Sequence, residues 1–388
     1  MRFVHRLLEQ ELSKAIRSFP AILLTGPRRA GKTTLLQKQF PTASYYLLED
    51  PDLIARIRTD PRSFLDEIRL PVILDEIQHV PELFNYVRTR IDRAPHRFGQ
   101  WLLTGSQEAG LMRGVTESMA GRVAIFELLP FSLQETPDVS LFRGGFPEVL
   151  ARPKASDLWF RSYLQTYLER DVRSVSSIRH LATFRRFISL LASRGGQLVN
   201  KTDLAAPLGV SVPTVSEWIN ILETTGHIIL VPPFYENFGK RLIKSPKLYF
   251  VDSGLACHLL NIPSEARLSS SPFFGAIFEG FVAAELIKFQ MNAGKRKELY
   301  YFRDQQGLEV DFLIPHGDRI LILLEAKSTR TLRPEMGGPL NRLARNIARY
   351  EVHRWIVCPD AHPGYPLRTV SPRVKALSVK GLLSALRG

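Results

Sequence analysis

Residues 21–40, AILLTGPRRAGKTTLLQKQF, decide the fold. Within them Gly26-Pro27-Arg28-Arg29-Ala30-Gly31-Lys32-Thr33 fits G-x-x-x-x-G-K-[ST], between an apolar run and a helical pattern. That setting separates a phosphate-binding loop from a chance match. The two glycines let the backbone curl so that successive N–H groups point at one anion. The helix that follows adds the positive end of its dipole. Lys32 is placed to reach the β- and γ-phosphates as a point charge, and Thr33 to offer its hydroxyl to Mg²⁺. The expected nucleotide-contacting set is Gly26, Pro27, Arg28, Arg29, Ala30, Gly31, Lys32, Thr33 and Thr34, together with Asp75.

Further apolar runs follow at 44–50 (SYYLLED), 71–76 (PVILDE), 100–106 (QWLLTGS) and 123–130 (VAIFELLP), with helical patterns among them. Such runs are expected of strands buried on both faces, which predicts an α/β fold with a parallel sheet flanked by helices. The run 71–76 ends in Asp75 and Glu76, adjacent carboxylates at the end of a strand where open α/β sheets bind ligands. Asp75 is expected to hold Mg²⁺ through water, and Glu76 to orient the attacking water. Thr104 and Ser106 end the next strand and would sense the γ-phosphate. A cation for the transferring phosphoryl group is still needed, and Arg113 and Arg122 are the candidates for an arginine finger, with Arg122 preferred. A merely solvated arginine is the competing reading for both.

The chain has 388 residues, 45% of them hydrophobic and 23% charged, which excludes a disordered tail, a collagen-like fibre or a disulfide scaffold. No uncharged apolar run approaches the ~18 residues of a membrane span. The charged N-terminus lacks an apolar h-region, so neither a signal peptide nor a membrane partner is expected. Cys257 and Cys358 lack metal-ligand spacing and read as reduced thiols of a cytoplasmic protein. Lys and Arg number 52 against 38 acids, a net charge of +14, which points to a polyanion partner, DNA foremost.

Punctuation by Pro and Gly divides the chain into 1–138, 139–262 and 263–388. In the middle part, 204–224 reads as helix, Gly-containing turn and helix, with Ser211 as N-cap and Pro213 in the first turn. Two strands around a basic tip follow at 226–252, suggesting a winged helix whose wing would bring Lys240, Arg241, Lys244 and Lys247 to phosphates. Its second helix offers no Arg or Lys outward, so little base readout is expected. In the last part, Glu279 on a helix precedes Asp311 and then Glu325-Ala326-Lys327, each on a strand. That order resembles the PD-(D/E)xK nuclease core. Asp311 and Glu325 are expected to share a divalent metal while Lys327 orients water. A site that only binds DNA, or that only holds the domain together, is the alternative.

Taken together, GPRRAGKTTL, VILDEIQHVPELF, WLLTGSQ and AGRVAIFELLPFS resemble the AAA+-type P-loop ATPase domain of a prokaryotic family whose members carry a C-terminal domain of unknown function, DUF4143. GGFPEV (144–149), KSPKLYFVDSGL (244–255), FEGFVAAEL (278–286), EVDFLI (309–314) and LEAKS (324–328) extend the resemblance over almost the whole chain. It implies a cytoplasmic ATPase with ATP and Mg²⁺ as cofactors. Homo-oligomeric ring assembly, a hexamer by analogy with the AAA+ class, comes from the resemblance alone. The function expected is ATP hydrolysis coupled to DNA remodelling or translocation, on branched or junction DNA among other forms. A metal-dependent nuclease regulated by ATP and a signal-type switch ATPase with protein partners are the alternatives.

Overall fold

Strands β1 (Ala21–Thr25), β2 (Ser44–Leu47), β3 (Val72–Asp75), β4 (Trp101–Thr104) and β5 (Val123–Glu127) pair in parallel in the order β2-β3-β4-β1-β5. The computed structural model describes residues 3–105, 115, 117–168, 181–234, 244–329, 331–359 and 368–387. Every residue of β1, β3 and β4 is buried, because alternate side chains serve two helical layers. Ala21, Leu23, Leu74 and Leu103 pack on Phe64, Phe84 and Val87. Ile22, Leu24, Ile73 and Leu102 pack on Leu8, Leu12, Leu35 and Leu36. This is a P-loop α/β sheet, with the loop at the C-terminal end of β1, which lies between β4 and β5.

In the middle part, helix Lys201–Ala205 and a short turn reach Gly209 at φ 64°, and helix Val212–Thr224 follows. Ser211 caps that helix by accepting the Thr214 N–H at 3.3 Å. Val215, Trp218, Ile219 and Leu222 form its buried face. Strands β6 (Ile228–Val231) and β7 (Lys247–Phe250) then pair antiparallel. Most of the basic tip between them, with Lys240 and Arg241, lies outside the described residues, as do Ser106 and Arg113.

The last part is a six-stranded sheet in the order β12-β13-β11-β10-β9-β8. Its strands are β8 (Tyr300–Arg303), β9 (Glu309–His316), β10 (Ile320–Ala326), β11 (Glu351–Cys358), β12 (Arg368–Ser371) and β13 (Val374–Ser378). The ladders β8–β9–β10 are antiparallel, while β10–β11 and β11–β13 are parallel. Helix Phe274–Asn292 is buried on nearly all sides, as its run of apolar residues requires. It sits in a core shared by all three parts: Leu129 and Phe131 from the first, Ile229, Val231 and Tyr249 from the middle, Phe312 and Leu324 from the last.

The motifs GGFP and VDSGL meet where the first and middle parts cross. Asp252 is 2% exposed, accepts the N–H of Gly145 at 2.7 Å and caps helix Ser253–Leu259 through the N–H of Leu255 at 2.9 Å. Burial pushes its carboxyl above the usual range, and Lys288 and these N–H groups work against that. A Cβ on Gly145 would lie 2.1 Å from the carbonyl oxygen of Phe131, a backbone atom that cannot step aside. Gly145→Ala is therefore expected to lower stability by several kcal/mol in urea or thermal unfolding. Gly209→Ala meets nothing within 4 Å and should cost only the left-handed backbone penalty of about 1 kcal/mol. Equal losses for the two variants would contradict this packing.

Candidate functional site

The loop from Gly26 to Gly31 turns through positive φ at Gly26 (132°), Arg29 (63°) and Gly31 (97°). At Gly26 a Cβ would come within 2.2 Å of the Leu128 carbonyl oxygen, so that position needs glycine for space as well as for φ. Helix Lys32–Gln39 starts directly after it. The Lys32 side chain curls back over the loop, donating to the carbonyls of Gly26 at 3.0 Å and Pro27 at 3.1 Å. Thr33 Oγ1 reaches the Asp75 carboxylate at 2.9 and 3.1 Å. Thr34 is exposed. A hydroxyl and a carboxylate already in contact, beside a loop with a lysine folded over it, fit a Mg²⁺–nucleotide pair: Thr33 and Asp75 offer hard oxygen ligands, Lys32 a positive charge.

Glu76 adopts the left-handed conformation at φ 59°, ψ 48°, sparsely populated for a residue with a Cβ. Its N–H is held at 3.0 Å by Thr104 Oγ1, which in turn donates to Asp75. The Thr104 hydroxyl is thus engaged with the two acids and positions them, where a contact with phosphate was expected. Arg28 lies 3.8 Å from the Glu76 carboxylate and 3.7 Å from Glu49, and Gln78 donates to Glu76. Tyr45 donates to Asp75 at 2.8 Å, and its own hydroxyl is held far above the ordinary range by burial and by that carboxylate. Glu49, Glu76 and His79 form the only group of three potential metal-ligating side chains whose ligand atoms all lie within 4.8 Å among the described residues. Arg28 belongs to the expected loop set, whereas Glu49 and Tyr45 have no motif spacing that separates them from ordinary charged or aromatic residues.

Arg122 lies away from the loop of its own chain. Its carbonyl accepts from Ala21 at the start of β1, so it lies at the end of the sheet opposite the loop, roughly 13–16 Å along the strand. Its guanidinium pairs with Asp92 at 2.6 and 3.1 Å. A contact with the phosphates of its own site is excluded by that placement.

The loop is braced by both flanking parts. Arg6 is 5% exposed and donates to the carbonyls of Ala30 (3.0 Å) and Leu129 (2.6 Å) while pairing with Glu135 at 2.8 Å. Burial alone would raise the Glu135 carboxyl, but Arg6 outweighs it and holds the group below the usual range. From the middle part, the Tyr163 hydroxyl lies 3.3 Å from the Arg28 carbonyl and 2.9 Å from His227 Nε2. Thr225 Oγ1 meets the other ring nitrogen of His227 at 2.8 Å.

The nuclease-like residues gather on the far side of the middle part. Glu279 accepts from Tyr249 Oη at 2.6 Å, and Asp311 Oδ2 from the Ala326 N–H at 2.9 Å, while Glu325 pairs with Lys327. Burial, reinforced by Asp311, lifts the carboxyl of Glu279 to about 7 and that of Glu325 to about 8. Lys247 gives a correction. In place of the solvated wing expected of it, the residue is 2% exposed, and its ammonium lies 2.6 Å from Glu309, 3.2 Å from Glu279 and 3.6 Å from Asp311. Burial would lower its pKa, but the carboxylates of Glu279, Asp311 and Glu309 together raise it. Lys244 is exposed.

Burial pushes the His227 imidazole down to about 3. The unfolded chain, with an ordinary value near 6.5, binds the extra proton first. Stability from this residue is therefore complete above about pH 6.5 and is lost as pH falls toward 3, at about 1.4 kcal/mol per pH unit. His227→Gln is expected to flatten that part of the stability–pH curve. An unchanged slope between pH 6.5 and 4.5 would refute the assignment.

Residues 18–136 match the AAA domain family, 135–266 a domain of unknown function (DUF8612) and 274–373 the domain of unknown function DUF4143. Uncharacterized proteins of Mycobacterium tuberculosis and Mycobacterium bovis are each 33% identical over 336 residues, covering 83% of this chain and 75% of the relative. A Walker-type ATPase of Pyrococcus abyssi superposes with a TM-score of 0.43 at 16% identity, over 65% of this chain and 94% of that one. Motifs, loop geometry and relatives lead to one conclusion: the chain belongs to the family of AAA+-type P-loop ATPases that carry a C-terminal DUF4143 domain.

Proposed function

We propose that this protein hydrolyses ATP with Mg²⁺ and couples the cycle to binding and remodelling DNA, or to moving along it. The observation that carries the ATPase half is one constellation: Lys32 over the loop, Thr33 against Asp75, and Glu76 locked beside them by Thr104. Mg²⁺ held by Thr33 and Asp75 would neutralise phosphate charge. Lys32 would exchange the loop carbonyls for the β- and γ-phosphates. Glu76 would orient the attacking water, and Arg28 would hold its carboxylate ready for it. Arg122, remote from its own loop, would serve as a finger only for a neighbouring subunit, which agrees with a homo-oligomeric ring, a hexamer by the class analogy.

The DNA half rests on charge. The surplus of +14 is joined by Arg62, Arg88, Arg90 and Arg93, which line one groove beside helix Leu83–Arg93. The helix–turn–helix and hairpin of the middle part are read as a winged helix, with Lys201 and exposed Lys244 toward phosphates. The exposed side chains of helix Val212–Thr224 include Glu217, Asn220 and Glu223, which suits backbone contact without sequence readout. That same acidic face favours a second reading, a switch ATPase that engages protein partners. The cytoplasm remains the expected compartment, and the third part is read as restriction-endonuclease-like.

Lys32→Ala should abolish nucleotide binding, whereas Glu76→Gln should keep binding and lower kcat by about two to three orders of magnitude. ATPase rates measured with duplex, single-stranded and branched DNA should rise with at least one form. The DNA affinity should fall steeply with salt. Lack of stimulation by all three forms, with little salt dependence, would favour the protein-partner reading instead.

A further inference from the structure

The cluster of Glu279, Glu309, Asp311 and Glu325 already contains a cation. Lys247 enters it from the other part of the molecule, on β7, with its side chain 3% exposed. The other cations nearby are peripheral: Lys327 is 32% exposed and Arg303, 3.5 Å from Glu309, 41% exposed. Both oxygens of Asp311, and one each of Glu279 and Glu325, are engaged. One oxygen of Glu279 takes both Lys247 and Tyr249, Asp311 offers one oxygen to Lys247 and one to the Ala326 N–H, and Glu325 is taken by Lys327. Among the described residues these carboxylates do not close into a group with all ligand atoms within 4.8 Å. The residues present therefore do not fit the metal that a nuclease-like fold implies.

The surroundings give the ammonium a different task. Lys247 lies on the seam between two domains, with the Tyr301 hydroxyl donating to the Ser245 carbonyl beside it. The backbones of Pro232 and Phe234 bond to Tyr301 of β8 at 3.1 and 2.8 Å. Tyr249 lies against helix Phe274–Asn292 at Gly280, where a Cβ would make ordinary contact 3.5 Å from its ring. A buried ammonium needs carboxylates, and buried carboxylates need a counter-charge. Here each group supplies the other's requirement across the domain boundary. A divalent ion placed beside it would meet a like charge at contact range in a medium that screens poorly.

We infer that Lys247 is the resident cation of this cluster, and that the nuclease-like carboxylates clamp the middle domain to the last one instead of holding a divalent metal. The inference stands apart from the ATPase reading, since it concerns neither the loop nor nucleotide.

The test uses the full-length protein without nucleotide, titrated with Mn²⁺ and followed by electron paramagnetic resonance. Wild type and Asp311→Asn are expected to bind Mn²⁺ alike. Lys247→Ala removes the ammonium and should gain one site, at least tenfold tighter than any in wild type and lost again when Asp311→Asn is added. Mn²⁺ should then raise the Tm of Lys247→Ala and leave that of wild type in place. Stoichiometric Mn²⁺ on wild type that Asp311→Asn abolishes would overturn the inference, as would a folded Lys247→Ala that gains no site. Should Lys247→Ala fail to fold, the comparison of wild type with Asp311→Asn decides alone: equal binding upholds the inference and unequal binding overturns it.

Discussion

Of the three charged side chains on helix Phe274–Asn292, Glu285 and Lys288 are buried and Glu279 half-buried, and each finds a partner in another part of the chain. Glu279 is met by Lys247 and Tyr249 of the middle part. Glu285, 0% exposed, accepts the Leu133 N–H at 2.8 Å, and Lys288 donates to the Phe131 carbonyl at 3.1 Å and to Glu285 at 3.1 Å. Burial raises the Glu285 carboxyl, against the pull of Lys288 and of that N–H. Breaking such a pair by removing one member costs about 3–5 kcal/mol, because the other is left charged and dry. The last part therefore cannot settle its own central helix without the segment that leaves the ATPase sheet. The three domains fix one another by desolvated charge as much as by apolar contact.

The phosphate-binding loop is tied to the middle part in the same way. The loop that would meet phosphate is gripped at Ala30 by Arg6 and at Arg28 by Tyr163, and Tyr163 leans on His227 at the mouth of the β6–β7 hairpin. Beyond the hairpin, Lys247 of β7 reaches Glu279 of helix Phe274–Asn292, so contacts run without a break from the loop to the last part.

Much of the first part was legible because strands buried on both faces leave nothing but apolar letters, and because the loop and Asp75–Glu76 require fixed residue types at fixed places. The helix expected around Glu279 is present as Phe274–Asn292. The short strands β12 and β13 were not legible, since Arg368, Arg373 and Lys375 interrupt any alternation. Lys247 misled for a physical reason: a lysine between a hairpin tip and an apolar strand has the same local sequence whether it faces water or a pocket of acids 30 to 65 residues away. Arg122 stands directly before β5, and in a parallel sheet that places it at the end opposite a loop that follows a strand. Glu49 and Tyr45 come to the site through proximity that only the folded chain creates.

One apolar core runs from Leu129 and Phe131 through Ile229 and Tyr249 to Phe312 and Leu324. Its consequence is for anyone who dissects the gene. Family boundaries near 136 and 270 invite cloning of the pieces, yet each cut passes through this shared interior and strips every fragment of neighbours it was built to touch. Such products would present greasy, half-charged surfaces to water and to each other, the recipe for inclusion bodies. In this chain the three parts share one interior, and a cut at either boundary divides it.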